Sequence, residues 1–323
     1  MTEAVSPTPE AASAPRVVAA GECMLELSRQ GDLWQLGAAG DSFNTALYLR
    51  RLGADVRYFT ALGTDPFSDE VLQGWVREGL DTSLVLRDPA RLPGLYAIRT
   101  DERGERSFYY WRQQAAVRQL FKLAWIDTAL QAAVQCDLLY LTGITLSLFD
   151  ATERRRWVEL ATQVRRRGGR VAFDPNYRPK GWSSAAEARA AMEGIAPLVN
   201  ILLTTNDDEK LLFGHRRTSE SVAHWRNAGV EEVVVKLGPE GAAVHGPAES
   251  LLVTVPDVVQ VVDSTGAGDS FNAAYLAARL GGATMERSAH AGNVLAGAVV
   301  QVRGAILPLA QMPATIVAVP PAR

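Results

Sequence analysis

The sequence predicts an α/β protein with a doubly wound, mostly parallel sheet, helices on both faces of that sheet, and a small β-sheet lid. Three observations lead to this fold class. Short β-rich runs alternate with helix-length amphipathic segments from Arg16 onward. One segment near residue 100 breaks that alternation with two β-like runs joined by a turn. A chain of 323 residues with 47% apolar residues can also bury a sizeable core.

The alternating segments predict the parallel sheet. Its strand candidates are RVVAAGECMLELS, DVRYFTALG, CDLLYLTG, RVAFDPN, ILLTT and EEVVVKLG. The helical segments between most of them are DSFNTALYLRRLG, DPFSDEVLQGWVREG, ATERRRWVELATQVRRRGG and SAAEARAAMEGIAPLV. Strands that are separated by helices in this order run parallel, and ligands of such sheets bind beyond the carboxyl ends of the strands.

A different pattern occupies residues 83–112, which we expect to form most of the lid. Two β-like runs, LPGLYAIRT and ERSFYYWR, are joined by the turn-forming DERG, so an antiparallel hairpin is predicted. Alternation divides the second run into two faces, with Phe108, Tyr110 and Arg112 on one and Tyr109 and Trp111 on the other. Because both faces carry aromatic side chains, we expect the main domain to cover one face and a partner subunit the other. We therefore expect the chain to form a homo-oligomer through the lid.

Composition excludes several classes of protein. Residues 1–15 are small, polar and proline-rich, which predicts a disordered tail without the cationic start and apolar stretch of a signal peptide. No run approaches the length of about eighteen apolar residues that a membrane helix needs, so we expect a cytoplasmic protein with no membrane partner. A formal charge of −3 and the lack of a long basic run argue against nucleic acid. Two distant cysteines and four scattered histidines predict neither a disulfide framework nor a structural zinc site.

The most informative motif is DSTGAGDSFN, residues 263–272, which follows the β-like run VVQVV and opens an apolar helix. Gly266 and Gly268 allow the backbone N–H groups to converge at a helix N-terminus, where anions bind. Asp269 follows directly. A carboxylate beside a phosphate site would repel the ligand, so its presence favours a general base that accepts a hydroxyl proton. The alternative interpretation is an aspartate that caps the helix.

Other catalytic motifs can be checked directly in the sequence. It contains no GxxxxGK[ST], and GAGDSF lacks the third glycine of the dinucleotide fingerprint and lies late in the chain. It also contains neither an HRD/DFG pair nor a GxSxG elbow. P-loop enzymes, dehydrogenases, protein kinases and α/β-hydrolases are therefore excluded.

Two longer segments resemble the signatures of one family. DSTGAGDSFNAAYL resembles the C-terminal signature of the ribokinase-like (PfkB) sugar kinases, and GAAGDSFNTALYLRRLGADVRYFTALGTDPF resembles their N-terminal signature. GECMLELS, LPGLYAI, ERSFYYWR, DPNYRPKGW and EVVVKLG are similar to the motifs of its 2-keto-3-deoxygluconate kinases. The resemblance implies a kinase domain over residues 16–323 that transfers the γ-phosphoryl group of ATP to the 6-hydroxyl of 2-keto-3-deoxy-D-gluconate. One departure is Ala39, where the family usually has glycine before Gly40; its Cβ would tighten the approach of the sugar.

The resemblance also implies the site residues. It makes Asp269 the catalytic base and the backbone amides of Gly266, Ala267 and Gly268 an anion hole. The implied substrate-binding residues are Gly40, Asp41, Asn44, Tyr96, Tyr110, Arg112, Arg178 and Asp269. The implied ATP-binding residues are Asn176, Lys236, Gly238, Gly241, Gly266, Gly268 and Asn293, with Glu209 placing Mg²⁺ largely through water. Two arginines suit a carboxylate or α-keto acid, although surface solvation is the alternative. An acidic first helical turn is the alternative for Glu209.

Two other functions stay open at this point. One is another sugar kinase of the same fold, such as a fructokinase, a ribokinase or a keto-deoxy-galactonate kinase, whose substrate differs from the gluconate epimer at a single hydroxyl. The other is a catalytically silent sugar sensor, against which the intact GAGD motif argues. For a kinase we expect the lid to close on the sugar, since water must be kept from ATP.

Overall fold

The structure is a computed structural model that describes residues 14–100, 106–314 and 316. Most of the expected tail, residues 1–13, lies outside the described residues, as does the expected turn DERG. The described strands are β1 (Arg16–Ala20), β2 (Met24–Gln30), β3 (Leu33–Ala39), β4 (Asp55–Gly63), β5 (Val85–Asp88), β6 (Leu95–Thr100), β7 (Arg106–Trp111), β8 (Leu138–Thr142), β9 (Arg170–Asp174), β10 (Ile201–Thr205), β11 (Glu232–Lys236), β12 (Ala242–His245) and β13 (Ser250–Val253).

The described helices connect and cover these strands. They are α1 (Asp41–Arg51), α2 (Pro66–Arg77), α3 (Ile126–Ala133), α4 (Gly143–Ser147), α5 (Ala151–Arg166), α6 (Ala185–Ile195), α7 (Asn206–Phe213), α8 (Thr218–Asn227), α9 (Ala267–Leu280) and α10 (Met285–Val299). None of the helices in the described ranges is long and apolar enough to cross a membrane.

The larger sheet has nine strands in the order β13-β12-β11-β10-β9-β8-β1-β4-β5. From β5 to β11 every pair of neighbours is parallel, whereas β12 and β13 add an antiparallel edge. β8 and β11 are buried along their whole length, as expected for parallel strands covered on both faces. This architecture confirms the predicted fold class.

Alternate residues of β1 point into two separate hydrophobic clusters. Val18 contributes to the cluster that contains Trp157 of α5 and Trp225 of α8. Val17 contributes to the cluster that contains Leu47 of α1 and Tyr275 of α9. Because successive side chains of a strand lie on opposite faces, the two clusters show that helices cover both faces of the sheet.

The smaller sheet, which we call the lid sheet, has four strands in the order β3-β2-β6-β7. β6 and β7 come from the expected lid segment and pair antiparallel, whereas β5 of that segment joins the larger sheet. The prediction of a single strand over RVVAAGECMLELS is wrong, because the chain leaves the larger sheet after β1 and enters the lid sheet as β2. Gly21 lies at this crossing, where a Cβ would be 2.2 Å from Ser42 Oγ.

The run VVQVV is also not the predicted strand. Val258, Val261 and Val262 are exposed, and the Val262 N–H donates to the Val300 carbonyl at 2.8 Å. A β-rich composition is therefore not sufficient to form a strand here. The edge of the sheet is β13, which precedes this run and pairs with β12.

Candidate active site

The predicted site residues come together at the carboxyl edge of the parallel strands. β9 ends at Asp174 and β11 ends at Lys236, while α1 and α9 begin beside them. Asn176 Nδ2 donates to Asp41 Oδ2 at 3.0 Å, which joins the segment after β9 to the start of α1. This is the edge at which ligands of parallel sheets bind.

The glycine motif shapes the start of α9. Gly266 precedes the helix with a φ of 75°, and a Cβ there would lie 2.7 Å from the Ala305 Cβ. Both the left-handed conformation and this close contact require glycine. The first amides of the helix lack intrahelical acceptors, although the Ala267 N–H donates weakly to the Ser264 carbonyl at 3.3 Å. The geometry fits an anion, and the anion hole stays a prediction.

Asp269 lies in the first turn of α9 and is half-buried. Burial raises its pKa to about 7, and the charges of Asp41 and Asp174 act in the same direction. The hydrogen bond from Asn44 Nδ2, 2.8 Å from Asp269 Oδ2, and the charge of Lys236 oppose this rise. The cap position belongs to Gly266, so the capping interpretation of Asp269 is wrong. A carboxyl group that titrates near neutral pH suits a general base.

A buried polar group, which we call the floor cluster, lies below this turn. It consists of Tyr140, Asp174, Lys236 and Asn272. Lys236 Nζ donates to Asp174 Oδ2 at 2.8 Å and to Asn272 Oδ1 at 3.0 Å. Asn272 Nδ2 donates to Asp174 Oδ2 at 2.6 Å and to the Tyr140 hydroxyl at 3.1 Å. The predicted ATP ligand Lys236 therefore points into the protein, because its ammonium is paired with a buried carboxylate.

The implied sugar-binding residues at the start of α1 have unequal roles. A Cβ at Gly40 would lie 2.2 Å from the Glu22 carbonyl oxygen, so this close approach requires glycine. Asp41 faces the site with its carboxylate bound by Asn176. Asn44 is buried, and it donates to Asp269 and accepts from the Gly40 N–H at 3.4 Å. The Asn44 amide thus holds Asp269 and the Asn176 amide holds Asp41, while the predicted sugar contact of Asn44 and the predicted nucleotide contact of Asn176 stay predictions.

The lid sheet presents an aromatic face. The ring centroids of Tyr96 and Tyr110 are 5.8 Å apart, and those of Phe108 and Tyr110 are 6.5 Å apart. The Tyr96 hydroxyl donates to the Glu26 carboxylate of the neighbouring strand, so its ring is held in place. Ala39, the departure from the family pattern, packs into a small cluster of the lid sheet that contains Tyr96.

Arg112 and Arg178 lie near the same tyrosine. Burial raises the pKa of Tyr110, and the charges of both arginines oppose that rise. Each arginine has a carboxylate partner that the sequence did not reveal. Arg112 forms an ion pair with the buried Glu22, and Arg178 Nη1 donates to Asp208 Oδ1 at 3.0 Å. Arg178 is still 59% exposed, so it can reach a ligand.

The remaining ATP-binding predictions concern the turn after β11 and helix α10. Gly238 and Gly241 have φ values of 59° and 102°, and a Cβ at Gly241 would lie 2.0 Å from the Val253 carbonyl oxygen. Asn293 is buried, and its Nδ2 donates to the carbonyls of Val253 at 3.0 Å and Thr254 at 3.2 Å. Its amide therefore holds the end of β13, and these contacts do not support the adenine contact expected for it.

Glu209 is held by contacts inside the protein, and its expected role of placing Mg²⁺ through water stays a prediction. Its Oε1 accepts from Thr204 Oγ1 at 2.8 Å and from Trp225 Nε1 at 2.7 Å. Its Oε2 lies 3.0 Å from His215 Nδ1, and the side chain is 1% exposed. Both oxygens are thus used inside the protein. Within residues 14–100, 106–314 and 316, no group of three or more His, Cys, Asp or Glu side chains is arranged to hold a metal ion.

Several functional candidates were missed because their partners are distant in sequence. They are Glu22, Tyr140, Asp174, Asp208 and Asn272. A signal existed for two of them. Asp174 ends a parallel strand, and Asn272 belongs to the glycine motif.

Known proteins resemble this chain over nearly its whole length. The family described as pfkB family carbohydrate kinase matches residues 15–312. The chain is 43% identical to the 2-dehydro-3-deoxygluconokinase of Dickeya dadantii (strain 3937), over 91% of this chain and 97% of the relative. It is 42% identical to the 2-dehydro-3-deoxygluconokinase of Escherichia coli (strain K12), over 93% and 99%. A solved structure of a PfkB protein from Polaromonas sp. JS666 is similar with a TM-score of 0.78 and 27% identity, over 89% and 96%.

Proposed function

This chain belongs to the pfkB family of carbohydrate kinases, and we therefore propose that it transfers the γ-phosphoryl group of ATP to the 6-hydroxyl of 2-keto-3-deoxy-D-gluconate. The observation that carries the proposal is the position of Asp269. This near-neutral carboxyl group lies in the first turn of α9, directly after the amides that are proposed to bind the phosphoryl oxygens.

The reaction follows from those two features. Asp269 accepts the proton of the 6-hydroxyl while that oxygen forms a bond to the γ-phosphorus, and the bond from this phosphorus to the leaving oxygen of ADP breaks. Because the transition state is loose, the protein contributes mainly alignment and charge neutralisation. The amides of Gly266, Ala267 and Gly268 neutralise the phosphoryl oxygens, and Asn44 holds Asp269 in line. The lid sheet closes over the sugar and keeps water away from ATP.

The acidic substrate is supported by the relatives' names and by two cations. The charges of Arg112 and Arg178 both lower the pKa of Tyr110, so two guanidinium groups lie near one lid residue. Guanidinium groups bind carboxylates through paired hydrogen bonds, which suits the carboxylate and the 2-keto group of this sugar acid.

A neutral sugar such as fructose or ribose is the second candidate, and one observation favours it. Arg112 is paired with Glu22 and Arg178 with Asp208, so each guanidinium already has a carboxylate partner. In that case the arginines would balance internal charges and would leave the recognition of sugar hydroxyls to Asp41.

ADP release with MgATP tests the proposal against a panel of 2-keto-3-deoxygluconate, its galactonate epimer, gluconate, fructose and ribose. We expect the highest kcat/KM with a keto-deoxy acid. A preference for fructose or ribose would support the second candidate, and no turnover with any sugar would contradict a kinase function.

We further propose that two copies of the chain associate through the lid sheet. The strand register places Trp34, Leu36, Tyr109 and Trp111 on the face opposite Tyr96 and Tyr110, and all four are exposed. Several exposed large apolar side chains on one face of a sheet are typical of protein interfaces. The cytoplasmic location expected from the sequence stays a prediction.

A further inference from the structure

We propose that Lys236 is a positioning residue of the kinase and not an ATP ligand. Its buried ammonium fixes Asp174 and Asn272. It also supplies the positive charge that allows the carboxylates of Asp41, Asp174 and Asp269 to lie close together around the phosphoryl-transfer site. The proposal deepens the function proposed above and rests on Asp269 being the base.

The contacts of Lys236 join the elements that carry the site. Its Nζ binds Asp174 at the end of β9 and Asn272 in α9, at 2.8 and 3.0 Å. Asp174 Oδ1 in turn accepts the Asn176 N–H at 2.9 Å, and the Asn176 side chain binds Asp41. A Cβ at Gly268 would lie 3.5 Å from Lys236 Nζ, so the ammonium lies directly below the predicted anion hole. One side chain thus connects the proposed sugar side with the proposed phosphate side.

The charges around Asp269 explain why a cation is needed there. The groups that face its carboxyl are Asp41, Asn44 and Tyr48 of α1, Tyr140 of β8, Asp174 of β9 and Lys236 of β11. The carboxylates disfavour ionisation of Asp269, whereas Lys236 favours it. Without the ammonium, Asp174 would be a buried carboxylate with no opposite charge, which is strongly unfavourable.

The contacts of Lys236 also argue against the nucleotide role. The side chain is 9% exposed, and its ammonium already donates to two oxygens inside the protein. Binding to ATP would require it to leave Asp174. An ammonium that acts through Asp174 and Asn272 should instead change turnover and its pH dependence more than the affinity for ATP.

The test compares Lys236→Met with the wild type and with Lys122→Met, a matched change at an exposed lysine. We expect kcat to fall about tenfold or more while the KM for ATP changes little, because the reacting groups lose their alignment. We also expect the acidic limb of the pH profile of kcat/KM to move to higher pH, because the cation that favours the charged form of Asp269 is gone. The same shift should appear in a ¹³C NMR titration of the Asp269 carboxyl carbon, assigned by its loss in Asp269→Asn.

The double variant Asp174→Asn with Lys236→Met removes both charges of the pair. We expect it to fold and to return the acidic limb and the NMR titration towards the wild type, even where the single variant fails to fold. A large rise in the KM for ATP with an unmoved acidic limb would overturn the proposal in favour of an ATP ligand. A lower Tm with an unmoved NMR titration, or a double variant that does not fold, would reduce Lys236 to a packing residue. If the wild type phosphorylates no sugar, the proposed function fails, while the NMR titration still tests the effect of Lys236 on Asp269.

Discussion

The floor cluster and the lid sheet differ in how far their side chains are exposed to solvent. In the floor cluster the side chains are buried, and each one binds another member of the cluster within 3.1 Å. On the lid sheet Phe108 and Tyr110 are exposed, and Arg112 at its edge is paired with Glu22, which connects the two sheets. The side chains below the site therefore have fixed partners, whereas those that we expect to bind and release a sugar are exposed above it.

This difference separates chemistry from specificity. Burial raises the pKa of Asp269 to about 7, and the neighbouring charges of Asp41, Asp174 and Lys236 adjust that pKa in the absence of any ligand. Arg178 is bound to Asp208 but is still largely exposed, so an incoming carboxylate can replace that partner. Substitutions at the buried groups around Asp269 should therefore alter turnover. Substitutions at the exposed groups above the site should alter the apparent affinity for the sugar.

The largest effect is expected from Asp269→Asn. Loss of the proton acceptor should lower kcat by about 10² to 10⁴, because general base catalysis contributes that much. Binding of a fluorescent ATP analogue should be retained. Steady-state ADP release measures the change, and Asp257→Asn in the exposed loop before the motif is the matched control. A near-normal kcat would rule out the base.

Arg178→Ala should have the next largest effect, and it acts above the site. Loss of one charge-assisted contact of about 1.5 to 3 kcal/mol should raise the KM for an acidic sugar roughly 10- to 150-fold, with a smaller change in kcat. Initial rates over a range of sugar concentrations measure it, with the exposed Arg155→Ala as control. An unchanged KM would mean that Arg178 binds Asp208 and does not contact the sugar.

Asn44→Ala should have a moderate effect on turnover. Removal of the 2.8 Å hydrogen bond raises the pKa of Asp269, because that bond favours the charged carboxylate. The acidic limb of kcat/KM should then move to higher pH, and kcat at pH 7 should fall about tenfold. A raised KM for the sugar with an unmoved limb would restore the predicted contact between Asn44 and a sugar hydroxyl.

The smallest effect on turnover is expected from Trp111→Glu on the outer face of the lid sheet. A charge on this exposed face should separate the copies by light scattering and leave kcat within about twofold of the wild type. Val258→Glu places a charge on an exposed apolar residue outside the lid and should leave the assembly intact. A wild type that is already monomeric at working concentration would contradict the lid interface.

The sequence predicted regular elements better than the transitions between them. DVRYFTALG became β4 residue for residue, because a β-rich run bounded by a turn fits one largely buried strand. RVVAAGECMLELS is also rich in apolar residues but divides between two sheets, since β propensity does not say which sheet a strand joins.

The site shows the same limit. Asp269 could be predicted because its glycines and its helix are adjacent in the chain. The contacts of Asn44, Lys236 and Asn293 could not be predicted, because each has a partner from another element. A lysine at the end of a strand has the same sequence pattern whether it points to a ligand or into the protein.

The way in which the lid sheet joins the main domain restricts how it can move. Four chain segments make the connection, at residues 21–23, 40, 89–94 and 112–115, and three of them contain a glycine. A Cβ at Gly40 or Gly94 would lie within 2.6 Å of an oxygen of Glu22. A body attached at four points cannot swing as a flap on a single hinge, so we expect any closure to be a tilt of the whole lid sheet about those points. Glu22 lies among them and binds Arg112, so such a tilt would change the geometry of that ion pair, and we expect the rotation that encloses the sugar to reposition Arg112 as well.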